Sequence, residues 1–134
     1  MIYGRGCRGN YPRLAALART LPCFPKAANE RSMLFIGTLC HFVQGLILSG
    51  VGGLFFPQNR EYVNTAHMVK TIAKCHGKRL FCVPGMGWLL RLAESRVGVV
   101  GKVFGTLTYD HSMSPVIAED VPFEETIRQT EVSA

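Results

Sequence analysis

Acidic residues are scarce: nine Asp and Glu stand against 15 Lys and Arg in 134 residues, a formal charge of +6. The imbalance suits an anionic partner such as a phosphate-bearing ligand, a nucleic acid or a membrane surface, and by itself does not choose among them. Charged residues are few, at 18%, and hydrophobic residues make up 48%, a balance that excludes intrinsic disorder. No C-x-x-C occurs, and the five cysteines (Cys7, Cys23, Cys40, Cys75, Cys82) are odd in number and irregularly spaced. That argues against a disulfide framework or zinc ribbon and fits a reducing compartment. The first twenty residues hold Arg5, Arg8, Arg13 and Arg19 and no unbroken apolar core, so they do not read as a secretory signal, and a cytoplasmic location is expected. No internal repeat, low-complexity segment or domain boundary is found, and the length allows one core.

Charge is missing altogether from Ser32 to Asn59, a stretch long enough to be weighed as a membrane span. Within it Leu39, Phe42, Val43, Leu46 and Ile47 fall on one helical stripe, with Thr38, His41, Gln44 and Gly45 between them. Ser49, Gly50, Gly52 and Gly53 follow. A spanning helix would be apolar all round and would not crowd glycines into its second half, so the pattern reads as an amphipathic helix and a turn.

The remaining elements alternate. Met1 to Tyr3 is the tail of an apolar strand, followed by a glycine-rich loop. Asn10 or Tyr11, then Pro12, opens a helix with Leu14, Leu17, Ala18 and Leu21 inward, ended by Pro22 and Pro25. Ser32 to Ile36 reads as a strand leading into the amphipathic helix, with Cys40 as core filler, and Gly53 to Phe56 as another strand closed by Pro57. Asn64 caps a helix from Thr65 to Cys75, with Val69, Ile72 and Ala73 inward, Lys70 and Lys74 outward and Gly77 as its stop. Arg79 to Val83 forms a strand, Trp88 to Phe104 two short helices, and Leu107 to Tyr109 an extended piece. Pro122 introduces a last helix with Phe123 and Ile127 on one face. Short strands alternating with helices predict an α/β protein.

The constellations that could carry chemistry are few. Gly4, Gly6 and Gly9 spell G-x-G-x-x-G, but only three residues precede them and the helix opens later, so the glycines read as a loop around an anion near Arg5 and Arg8. Cys40-His41 and Cys75-His76 are adjacent pairs whose side chains diverge on a helix, poor chelates and poor dyads; His76 reads as a helix C-terminal cation. No G-x-S-x-G elbow occurs. The basic residues read as scattered: Arg5, Arg8 and Arg13, then Lys70, Lys74, Lys78 and Arg79, then Arg91 and Arg96. Arg31 stands apart, after a loop and before an apolar strand, where a guanidinium can fork onto a phosphate, or else form an ordinary surface ion pair.

The segments Met1-Ile-Tyr-Gly, Gly9-Asn-Tyr, Phe24-Pro25, Asn29-Glu-Arg-Ser-Met-Leu-Phe-Ile36, Gly53-Leu-Phe-Phe-Pro-Gln-Asn59, Glu61 to Val69, Val103 to Asp110 and Pro122 to Ile127, in that order, resemble the C-terminal half of NAD-dependent epimerase/dehydratases. These are extended short-chain dehydrogenase/reductases, and the resemblance is nearest to UDP-glucose 4-epimerase-like enzymes. It implies a C-terminal fragment of a Rossmann-type fold, with residues 1–134 as a single substrate-binding portion lacking the dinucleotide-binding half. Arg31 is similar in placement to the arginine on the sugar-nucleotide diphosphate, Tyr3 to a tyrosine ending the strand after the catalytic helix, and Asn10 ends the loop over the substrate cleft. Tyr109-Asp110 is similar to a structural turn before the last helices. The family's Tyr-x-x-x-Lys pair is absent, since residues four after Tyr3, Tyr11, Tyr62 and Tyr109 are Cys7, Ala15, Ala66 and Met113. The resemblance thus implies no catalytic residue here, NAD held by the missing half, a UDP-sugar-like substrate, and association with that half or with itself. The alternatives are a small basic membrane-associated protein and a nucleic-acid-binding module.

Overall fold

The computed structural model describes residues 1–26, 28–85, 105–110, 112 and 121–132. The helices expected between Trp88 and Phe104, and Arg91 and Arg96 with them, lie outside the described residues. In chain order the elements are β1 (Ile2–Tyr3), α1 (Asn10–Thr20), β2 (Cys23–Pro25), β3 (Leu34–Phe35), α2 (Ile36–Ser49), α3 (Thr65–Cys75), β4 (Phe81–Val83) and α4 (Phe123–Glu131). β1 pairs parallel with β3, with Ile2 opposite Leu34 and Tyr3 opposite Phe35. β2 pairs parallel with β4, with Phe24 opposite Cys82. Both pairs are crossovers, which parallel pairing requires and helices supply.

The core lies where α3 packs between α1, α4 and the β2–β4 pair. Val69, Ile72 and Ala73 are buried as their spacing dictates, and Asn64 caps α3 by accepting from the Ala66 and His67 amides. Tyr3 is the most enclosed aromatic: its ring stacks on Tyr11 and meets Phe35 and Phe123 at an angle, with centroids 5.6, 5.8 and 6.5 Å away. Gly4 follows it because a Cβ there would collide with the Ile36 side chain at the start of α2.

Four expectations are corrected. Leu17 and Leu21 are exposed; α1 is turned so that Tyr11, Leu14, Ala15 and Ala18 face the core, since the Tyr11 ring takes the place beside Tyr3. Pro25 does not merely follow a helix: Cys23–Pro25 is a strand, tolerated because the proline stands at its end. Gly53 to Phe56 is irregular, not a strand. The Phe35 amide that a neighbouring strand would use donates instead to the Asn59 Oδ1, and the Asn59 amide donates to the Met33 carbonyl at 2.7 Å, so one asparagine caps that edge of β3. Finally, the helix expected after β3 forms as α2, but its apolar stripe is only half covered and Cys40 is not core filler. Thr38 is its one fully buried residue, Leu39, Phe42 and Leu46 are half-buried, and Cys40, Val43, Ile47 and Leu48 are exposed. Gly50, in the left-handed conformation, ends it.

At the far end of α4, Glu131 gathers three elements. Its carboxylate accepts from the Tyr11 hydroxyl at 2.8 Å, from Arg19 at 3.1 Å and from His76 Nε2 at 2.7 Å. Burial first, then the Glu131 hydrogen bond and charge, push the Tyr11 phenol far above its ordinary value. A raised folded-state value means stabilisation that is full below about pH 10, the ordinary tyrosine value, and lost as pH rises toward the folded one. Denaturant melts should therefore lose stability on the alkaline side, and Tyr11→Phe should flatten that limb while lowering stability near neutrality by about 1–3 kcal/mol through loss of the hydrogen bond to Glu131 Oε1.

Candidate functional site

Arg31 belongs to a stretch of loop braced from both sides. Its amide donates to the Val63 carbonyl at 3.1 Å and its carbonyl accepts from the Val63 amide at 3.0 Å, an antiparallel bridge. On the other side a parallel bridge joins Leu107, through Leu107 N to the Glu30 carbonyl and Ser32 N to the Leu107 carbonyl. Two residues earlier, the buried Asn29 donates through Nδ2 to Thr65 Oγ1 at 2.7 Å and accepts the Thr65 amide, while Asn64 Nδ2 donates to the Asn29 carbonyl. One residue later, Ser32 Oγ accepts the Tyr109 amide at 2.8 Å. The backbone beneath the guanidinium is therefore fixed from both sides, the kind of support that lets a charged side chain be presented at low entropic cost.

The Met1 amino group donates to the Ser32 carbonyl at 2.8 Å, and burial together with the neighbouring Arg31 charge draws it below its ordinary value. Partial burial likewise lowers Arg31 from its ordinary value. A half-desolvated guanidinium favours a carboxylate or phosphate, to which it can offer two parallel N–H groups.

The other two residues singled out by the sequence occupy different settings. Asn10 is the first residue of α1, half-buried, behind a Gly9 N-cap that offers no side-chain acceptor and ahead of a first turn with no acidic residue. Arg5, Arg8 and Arg13 are exposed around it. Tyr3 is wholly buried: its hydroxyl lies 2.7 Å from Thr126 Oγ1 and accepts from Asn59 Nδ2 at 3.0 Å. Tyr3 and Asn10 are neighbours through the Tyr11 ring, whereas Arg31 stands before β3, at the amino-terminal end of the β1–β3 pair; the loop to Asn10 leaves from its carboxyl end. The pair does not by itself bring Arg31 and Asn10 together.

Sequence reasoning missed two features. One is the role of Asn59, whose signal, an Asn just past a proline and an apolar run, is too common to single out. The basic residues around α3 were read as scattered. In the structure His67, Lys70, Lys74, Lys78 and Arg79 line one cleft of about 470 Å³. The spacing of His67, Lys70 and Lys74, three and four residues apart along α3, was the available sign.

No family model and no curated protein matches the sequence. Among solved structures, the 2.65 Å crystal structure of dTDP-4-dehydrorhamnose reductase from Bacillus anthracis in complex with NADP is similar to this chain, with a TM-score of 0.57 and 14% identity. The fold is Rossmann-type α/β. The similarity covers 96% of this chain and 44% of the reductase, so the chain spans less than half the length of that protein. No helix among the described residues is long and apolar enough to cross a membrane.

If Asn29 is what holds the Arg31 segment on α3, Asn29→Ala should lower global stability by about 1–3 kcal/mol, the cost of losing its buried hydrogen bonds to the Thr65 amide and hydroxyl. Hydrogen exchange should show the amides of Arg31 and Val63 losing protection beyond that global change, while those of α1 do not.

Proposed function

We propose that this chain is the substrate-binding part of a nicotinamide-dependent enzyme of the epimerase/dehydratase kind, with a UDP-sugar or related sugar nucleotide as its ligand. The observation that carries the reading is the braced Arg31 segment: a half-buried guanidinium on a backbone bridged to Val63 and Leu107 and anchored through Asn29. The similarity in fold to a reductase whose substrate is a dTDP-linked sugar, and which binds NADP, supports the substrate class and the cofactor class. In this reading Arg31 forks onto the diphosphate, while Asn10, reached from the opposite end of the β1–β3 pair, is assigned no contact with that group. Tyr3 supports the site from beneath and does not touch the ligand, because its hydroxyl is engaged by Thr126 and Asn59.

Hydride transfer is the work of the nicotinamide, and proton transfer that of a Tyr-x-x-x-Lys pair, which this sequence does not contain. In this reading both come from a dinucleotide-binding half outside these 134 residues. Its docking surface is the exposed apolar side of α2, with Val43, Ile47 and Leu48, and the neighbouring Leu54. Without that half, turnover of UDP-glucose with added NAD or NADP should not exceed a heat-killed control.

The test of the site is calorimetric titration of UDP-glucose into the chain, with and without a companion dinucleotide-binding half. A bidentate charge-assisted contact is worth about 1.5–3 kcal/mol, so Arg31→Ala should weaken binding roughly ten- to a hundredfold, and lysine should restore only part. Equal affinity in wild type and Arg31→Ala would reduce Arg31 to a structural residue.

A further inference from the structure

Away from the Arg31 segment, the outer face of α3 and the edge of β4 enclose the cleft of about 470 Å³ already noted, lined by Lys70, Lys74, Lys78, Arg79, Phe81 and Glu124. Helix stability does not explain this grouping. Lys70 and Lys74 are four residues apart, a like-charge pair that weakens a helix, and Lys70 lies too far from the C-terminus to gain from the dipole. The charge is not cancelled locally either. Glu124 is the one carboxylate in the lining, and it stands 3.7 Å from His67 at the cleft's edge. Lys78 is held in place by donating through Nζ to the Arg19 carbonyl at 2.8 Å, and its charge meets no carboxylate in that contact.

The second component is aromatic. Phe81 is 69% exposed although it is the first residue of β4, while its neighbour Leu80 is buried in the core and forms part of the same cleft wall. A flat exposed ring beside a row of ammonium groups and a guanidinium offers stacking to a planar base and charge to its phosphates. Neither component alone implies this ligand: lysines without a ring take any anion, and a ring without lysines takes any apolar surface.

We propose that this cleft is a binding site for a free nucleoside polyphosphate, with the base against Phe81 and the phosphates against Lys70, Lys74 and Arg79. It shares no lining residue with the Arg31 segment and does not depend on the function proposed for that segment.

The experiment is calorimetric titration of the whole chain with ATP, with inorganic triphosphate and with adenosine. ATP should bind, triphosphate more weakly and adenosine weakest. Raising NaCl from about 50 to about 200 mM should weaken ATP and triphosphate and leave adenosine nearly unchanged. Both cations of the Lys70→Ala/Lys74→Ala variant are exposed, so the fold should survive, as a thermal melt will verify; ATP affinity should fall about tenfold or more, the loss of charge-assisted contacts. Phe81→Ala should weaken ATP severalfold and leave triphosphate unaffected, since stacking involves only the base. Arg13→Ala, a surface cation of α1, is the control and should change nothing. Undiminished ATP binding by the double-lysine variant overturns the site. Equal ATP binding by Phe81→Ala and wild type overturns the nucleoside and leaves an anion patch, and a single-stranded oligonucleotide that displaces ATP at equal phosphate concentration overturns the free nucleotide in favour of nucleic acid.

Discussion

The architecture depends on one buried oxygen. The Thr126 hydroxyl donates to the Phe123 carbonyl at 2.6 Å, so its only proton is committed. At 2.7 Å from Thr126, the Tyr3 hydroxyl must therefore be the donor, and it accepts in turn from Asn59. Asn59 passes the connection on to the Phe35 amide. One chain of hydrogen bonds runs from α4 through β1 to the edge of β3. Each link is worth about 1 kcal/mol net, but a buried partner left unpaired costs about 1–3 kcal/mol. The network therefore acts more strongly against alternative packings than its summed stabilisation suggests. Burial raises the Tyr3 phenol above its ordinary value, with the hydrogen bonds opposing the shift, so the group stays neutral where the fold is formed.

That network explains why the sheet stops where it does. β3 has β1 on one side and an asparagine on the other, and the apolar run ending at Pro57 passes as irregular chain. Phe55 and Phe56 find other partners: Phe55 meets Phe42 edge-on at 5.7 Å, and Phe56 stacks on Tyr109 at 5.7 Å. The second contact matters for the site, because Tyr109 also accepts through its carbonyl from Gln58 and Tyr62, and its amide holds Ser32. Aromatic residues that would have been strand neighbours instead clamp the stretch that presents Arg31.

How much of this was legible in the sequence follows from the range of each interaction. The α3 helix could be read almost residue by residue, since Asn64, the apolar spacing and Gly77 act within one helix. The same holds for α4, with Pro122 at its start and Phe123 and Ile127 inward. What failed depended on distant partners. The rotation of α1 is set by Tyr3 stacking on Tyr11, and the missing strand by Asn59, contacts that no local pattern encodes. Arg31 was legible as a residue worth singling out, but its bracing by Asn29, Val63 and Leu107 was not, because those partners are separated from one another by tens of residues. The cleft beside α3 was overlooked because Arg79 and, in β4, Phe81 reach it only after the chain has turned at Gly77.

The α2 helix carries the remaining tension. Fourteen residues without a charge rise about 21 Å, short of the roughly 30 Å hydrocarbon core, so its apolar composition does not serve a membrane span. Nor does the described chain bury it, since Ile47, Leu48 and Leu54 are each at least three-quarters exposed. A contiguous apolar surface of this kind is the usual mark of a protein interface. The proposed dinucleotide-binding half would meet that need, because layers of a Rossmann-type fold bury helix faces against a sheet or against one another. The two surfaces thus separate by chemistry: the uncharged α2 side suits a protein partner, and the basic α3 side, with five cationic or ionisable nitrogen groups around Phe81, suits a phosphate-bearing one.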